Sequence, residues 1–117
     1  MEAKFGSPII KISSKDVSEQ FLINKEGVSK RRPGILVIYS PGCIHCKNME
    51  PEFIKGAKQG NGVQFMALNG KLNKRLAGKM GIQSFPTILK IKNGFITPVK
   101  FENSRTATEF TKFALKN

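Results

Sequence analysis

The longest uninterrupted apolar run in the chain, Ile35-Leu36-Val37-Ile38-Tyr39, shows no alternation with polar residues. A strand wetted on one face alternates, so a continuous run predicts a strand covered on both faces, at the centre of a sheet. Val63 to Leu68 repeats the pattern, and Pro8 to Ile12 is a shorter β-rich run. Thr87 to Lys92 reads TILKIK and runs into Asn93-Gly94, the strongest short hairpin signal, so Phe95 to Phe101 should return antiparallel to it. Pro98 inside that last strand implies a sheet edge or a bulge.

Helical spacing fills the intervals. Ser13 or Ser14 offers an N-cap for a first helix holding Val17, Phe21 and Leu22 inward, ended by the Gly- and Pro-punctuated stretch from Lys25 to Gly34. Met49, Phe53, Ile54 and Ala57 mark a second helix that Pro51 should kink without abolishing. A third is predicted over Lys71 to Met80, with Leu72, Leu76 and Met80 on its core stripe. Thr106-Ala107-Thr108-Glu109 reads as a capping box opening a last helix, with Ala107, Phe110, Phe113 and Ala114 on one face. The order β-α-β-α-β-α-β-β-α predicts an α/β fold, a central mixed sheet with helices on both faces.

At 117 residues, 39% apolar and 24% charged, the chain fits one globular domain over residues 1–117. Its start, MEAKFGSPIIKISSKD, lacks the apolar core of a secretory signal, and no stretch reaches membrane-span length. The expectation is a protein that is cytoplasmic, or held in a particle or compartment reached without a signal. Lys and Arg total 20 against 8 Asp and Glu, a formal charge of +12, which favours anionic partners. Lys30, Arg31 and Arg32, the Lys71, Arg75 and Lys79 stripe, and Lys90 with Lys92 suit acidic proteins or non-specific nucleic acid. No helix-turn-helix pattern or RNA-binding aromatic motif accompanies them.

The two cysteines, Cys43 and Cys46, lie two residues apart where a central strand gives way to a helix. Unpaired N–H groups and the positive dipole at a helix N-terminus stabilise a thiolate, which makes Cys43 the candidate nucleophile. Cys46, one turn later, is placed to attack a mixed disulfide on Cys43 and release the partner. His45 between them would add positive charge beside the thiolate, or be a solvated loop histidine. Structural zinc needs four ligands, so with one His and no further Cys it would take a second subunit. A purely structural bridge would contribute little across so short a loop, and inert neighbouring thiols are the remaining alternative.

The segment ILVIYSPGCIHCK, Pro51 five residues after Cys46, GIQSFPTI, the Asn93-Gly94 hairpin and FENSRTATEF together resemble the thioredoxin superfamily over Pro8 to Leu115. Tyr39-Ser40-Pro41, His45 and Arg105 are most similar to a catalytic domain of the protein disulfide isomerases. The resemblance implies a thioredoxin fold and a thiol-disulfide oxidoreductase acting on protein disulfides, leaning toward oxidation or isomerisation. Such an enzyme needs no cofactor beyond its own Cys43–Cys46 disulfide, holds no metal, and works with protein substrates and a redox partner protein. It further implies that Arg105 tunes the resolving thiol, that Pro86 is a cis-proline, and that Gly42, Ile44, Phe85 and Pro86 face the substrate. Relatives carry a buried acid six residues before the first cysteine, where this chain has Val37, and an aromatic just before that cysteine, where it has Gly42. The first departure leaves a second reading, a thioredoxin-like adaptor with weak or vestigial redox activity.

Overall fold

A computed structural model describes residues 2–117. In chain order the elements are β1 (Ile10–Ile12), β2 (Gly34–Tyr39), α1 (Ile44–Lys58), β3 (Gln64–Asn69), α2 (Lys74–Lys79), β4 (Thr87–Lys92), β5 (Phe95–Lys100) and α3 (Ala107–Leu115). Among the described residues the strands form one sheet in the order β1-β3-β2-β4-β5. β1 and β2 run parallel to β3, while β4 is antiparallel to β2 and to β5. All six residues of β2 are buried, as its unbroken apolar run predicts. Pro98 lies in the edge strand, and the β4–β5 register shifts between Leu89 and Ile91.

The strand pleat divides the core in two. Ile35, Val37, Tyr39, Phe65 and Ala67 face α1 and α3, while Leu36, Ile38, Met66, Leu68 and Leu89 face α2 and the segment around Ile23. Phe53 of α1 is fully buried at the centre of an aromatic cluster, its ring 5.7 Å from Phe5, 4.9 Å from Phe65 and 5.2 Å from Phe110. α1 continues through Pro51, as expected of a proline that costs one N–H without breaking the packing around it. At the start of α3 the Thr106 hydroxyl accepts the Glu109 N–H at 3.2 Å. The reciprocal half of the predicted capping box is not made, because the Thr106 N–H donates to the Ser104 carbonyl instead.

Two expectations are corrected. In place of the first helix the chain makes a single 3-10 turn, Ser14–Asp16, closed by the Ser13 N–H on Asp16 Oδ2 at 2.9 Å. The chain then turns extended: Val17 bridges Ile23, Leu22 bridges Phe95, and Phe21 takes a left-handed φ of 65°. The Phe21 carbonyl accepts the Ile96 N–H at 2.9 Å and the Gly94 carbonyl accepts that of Ile23 at 2.8 Å. Backbone groups left open by the β4–β5 hairpin therefore claim the segment that local spacing assigned to a helix. The third helix is also shorter than Lys71 to Met80. Asn69 Oδ1 accepts the N–H groups of Lys71 and Leu72 at 2.9 and 3.1 Å, holding them in a turn, so Leu72 points out and is 82% exposed.

Phe53→Ala should cost about 3–5 kcal/mol, because three ring neighbours and the sheet prevent the cavity from closing. Urea unfolding checks this, and a loss below about 1 kcal/mol would contradict the packing described.

Candidate active site

After Tyr39 the four residues Ser40-Pro41-Gly42-Cys43 carry the chain from β2 into α1. The Cys43 N–H donates to the Ser40 carbonyl at 3.1 Å, and Cys43 is the N-cap of α1. An N-cap usually offers an oxygen to the orphan amides of the first turn. Here the Cys43 sulfur takes that place, accepting the Cys46 N–H at 3.2 Å, so unpaired amides and the positive helix end face it. The Cys43 thiol also donates to the Phe85 carbonyl at 3.4 Å, and the Phe85–Pro86 peptide is cis.

Both thiols are free, and their surroundings differ. Cys43 is half-buried, whereas Cys46 is 0% exposed among Met49, Phe53 and Val37. Burial pushes the Cys46 thiol up to about 12; its hydrogen bond to Cys43 and the Cys43 charge act in the same direction. A backbone hydrogen bond from the Ser40 side and the positive charge of Arg105 oppose them. Arg105 is itself exposed, on the segment ahead of α3. That segment is tied to α1, since Glu52 Oε1 accepts the Ala107 N–H at 2.9 Å. Val37, fully buried and paired with Ala67, fills the place where the resemblance puts an acid.

Of the other residues singled out from sequence, Gly42, Ile44 and His45 are exposed on the rim beside Cys43, Ile44 at 61%, and Phe85 and Pro86 are half-buried across from it. Six of the basic residues lie apart from this site. Arg31, Arg32, Lys90 and Lys92 meet at the far end of the sheet, and Arg75 and Lys79 line a separate groove with Ser14 and Glu19. Among the described residues, no three His, Cys, Asp or Glu side chains come together as a metal site.

Three features of the site escape the sequence reading. Gly70 donates its N–H to the Tyr39 carbonyl at 2.8 Å, and a Cβ there would sit 2.8 Å from Cζ of Phe85. The missing side chain is therefore what lets the Phe85 ring lie over the end of β3 with its carbonyl toward Cys43. A glycine closing a strand looks like ordinary loop punctuation, so nothing local marks it. The N-terminal segment also docks here: the Ala3 N–H donates to the Pro41 carbonyl at 2.9 Å, and the Phe5 N–H to Glu50 Oε2 at 2.9 Å. Phe5, an isolated aromatic in a polar tail, was the available clue. Finally, Leu72 follows β3, whose Asn69 lies opposite Tyr39, so the exposed leucine emerges past the same end of the parallel strands as Cys43.

Residues 13–116 match the family model described as thioredoxin. Among curated proteins the chain is similar to protein disulfide-isomerase A6 of Mus musculus, 34% identical over 110 residues, covering 88% of this chain and 25% of that protein. It is also similar to a putative protein disulfide-isomerase of Dictyostelium discoideum, 29% identical over 126 residues, covering 98% of this chain and 29% of that protein. The chain thus spans about a quarter of the length of these relatives. Among solved structures it shares the fold of the J-Trx1 fragment of ERdj5, with TM-score 0.72 at 23% identity over 92% of this chain and 48% of that one. The fold of human ERp44 form II aligns with TM-score 0.74 at 14% identity over 95% of this chain and 30% of that one.

The causes acting on Cys46 fix the signs of a titration followed by thiolate absorbance. Cys43→Ala removes a neighbouring charge and a hydrogen bond that both raise the thiol, so Cys46 should titrate below about 12, yet above 9.0 because burial persists. Adding Arg105→Ala in that background removes a cation that favours the thiolate and should move it back up. Shifts of the opposite sign would contradict the arrangement.

Proposed function

The chain belongs to the thioredoxin family, and on that premise we propose that it is a thiol-disulfide oxidoreductase for protein substrates, leaning toward disulfide formation and isomerisation. The observation that carries this reading is the inequivalence of the two sulfurs, one half-buried at a helix N-terminus and one fully buried behind it. In the reducing direction the Cys43 thiolate attacks one sulfur of a client disulfide. A Cys43–client bond forms and the client S–S bond breaks, releasing one client thiolate. Cys46 then loses its proton and attacks Cys43 Sγ, the mixed disulfide breaks, and the second client thiol leaves with both electrons, the Cys43–Cys46 disulfide remaining. Oxidation of a client dithiol is the same sequence reversed, with a redox partner protein taking the electrons from Cys43 and Cys46.

Several residues support the oxidising lean. The amides at the start of α1 and the charge of Arg105 favour the reduced pair over the disulfide, and the His45 side chain stands exposed at the rim beside them. A couple whose reduced form is stabilised is the stronger oxidant. The client lies, in this reading, across Gly42 and Ile44 on one side and Phe85 and Pro86 on the other. Once Cys43 is ionised it no longer donates to the Phe85 carbonyl, which is then free to accept an N–H from an extended client backbone. Ile44 and Leu72 supply exposed apolar surface beside that track.

One observation favours the adaptor reading. The Cys46 thiol sits high with Val37 in place of an acid beneath it, and slow deprotonation would prolong a mixed disulfide into capture. Insulin reduction in the presence of a dithiol separates the two. The enzyme turns over, Cys43→Ser abolishes turnover, and Cys46→Ser accumulates the mixed disulfide; no turnover by the unmodified chain supports the adaptor. Leu72→Glu should raise KM for a protein client about fivefold or more, the loss typical of an apolar contact. It should leave the rate with a small disulfide unchanged, and an equal effect on both would remove Leu72 from the client track.

A further inference from the structure

At the end of the sheet remote from Cys43, β2 begins at Gly34 opposite Ile91, β4 ends at Lys92, and α3 ends at Leu115. A cavity of about 210 Å³ lies between them. Five cations from three separate segments line it: Arg31 and Arg32 ahead of β2, Lys90 and Lys92 on β4, and Lys116 after α3. No Asp or Glu lines the cavity, whose wall also includes Asn117; Glu109 stands in the adjoining cavity with Lys90 and Lys116, and neither ion pair among the described residues, Lys25–Asp16 or Lys112–Glu109, involves these five.

Lys90 is 8% exposed. Its Nζ donates to the Lys116 carbonyl and lies 5.3 Å from the centroid of the Phe113 ring. Buried charges are ordinarily paired with an opposite charge, and here burial together with Lys92 and Lys116 pushes the ammonium below its usual range. Capping the end of α3 accounts for the position of Lys90. It does not account for Arg31 and Lys92 gathering around the same space, nor for Arg32 beyond the bond its Nε donates to the Gly62 carbonyl at 3.2 Å. An anion in the cavity would offset the repulsion among all five.

We propose that this cavity binds an oligophosphate group, the linked phosphates of an inorganic oligophosphate or of a nucleoside di- or triphosphate. One negative charge would leave most of the five cations unmatched, whereas a phosphate chain supplies several on neighbouring centres. Two guanidinium groups present planar forks that suit phosphate oxygens, and the lysines add point charges. The volume lies below the roughly 300 Å³ at which sites for whole drug-sized ligands begin. The cavity therefore takes the phosphates and leaves any nucleoside at its mouth. Extended single strands are instead bound along grooves with stacking aromatics, whereas no aromatic among the described residues lines this cavity: Phe113 lies beneath Lys90, and Phe95 pairs with Lys92 across the hairpin outside it. The site includes neither cysteine, so it stands or falls independently of the redox reading.

The test is calorimetric titration with inorganic triphosphate and with ATP at about 0.15 M ionic strength, with backbone amide spectra followed in parallel. The expected result is saturable binding of one equivalent, with shifts confined to residues 31–34, 90–93 and 114–117. Arg31→Glu with Lys92→Glu should weaken binding at least about tenfold. Arg75→Glu with Lys79→Glu, the same charge change elsewhere, should leave it within about twofold. Equal affinity for triphosphate and ATP assigns recognition to phosphates alone, and tighter ATP adds the nucleoside; both support the site. Single Arg31→Ala and Lys92→Ala variants, each weaker than the parent, keep the test valid if the double reversal fails to fold. The proposal is overturned by equal weakening in both double variants, by diffuse shifts with several equivalents bound, by no saturable binding, or by an oligonucleotide binding where triphosphate does not.

Discussion

Enclosing the Cys46 thiol beneath the first turn of α1, out of reach of water, makes the two sulfurs of the pair unlike. Had both been solvated they would have been two similar thiols in a loop. Burial instead holds the proton on Cys46 and leaves Cys43, at the open helix end, as the accessible sulfur. Ionising Cys46 is then a controlled step, helped by the Arg105 charge and by its hydrogen bond on the Ser40 side. The order of events in the proposed two-sulfur exchange follows from that difference.

The rest of the fold maintains it. β2 can deliver the chain to the centre of the molecule only because both its faces are covered, and the parallel partner β3 brings Asn69 and Gly70 to the same end of the sheet. Gly70 leaves room for the Phe85 ring, and the Phe85 carbonyl then meets Cys43. Glu50 and Glu52, two residues apart on α1, do related work on different neighbours. One receives the N–H of Phe5 from the N-terminal segment, and the other receives that of Ala107 at the start of α3, behind Arg105. Carboxylates that accept backbone amides in this way fix segments without filling the core with charge.

Where a stretch reports its own environment, the sequence was legible. The unbroken run of β2, the Asn93-Gly94 hairpin, the edge placement of Pro98 and the Thr106 cap all appear as expected. The thiol pair and the cis peptide at Pro86 came through the motif, the second by resemblance alone. Readings failed where a distant partner decided the outcome. Phe21 to Ile23 has passable helical spacing, but the β4–β5 hairpin claims its backbone. Leu72 falls on an apolar stripe until the Asn69 side chain holds its N–H in a turn. Val37 shows the reverse case: the sequence displayed the missing acid plainly, and the structure places an apolar, fully buried side chain there in the same cluster as Cys46.

The central claim is that Cys43 and Cys46 form a reversible redox couple with a stabilised reduced form. Its most direct test is the reduction potential of the pair, measured by equilibration in glutathione buffers with thiol trapping. The account predicts a single two-electron transition well above about −230 mV, on the oxidising side of the range known for this family. A value near about −270 mV would contradict the oxidising lean, and failure of the two sulfurs to form a disulfide at any buffer ratio would contradict the claim itself.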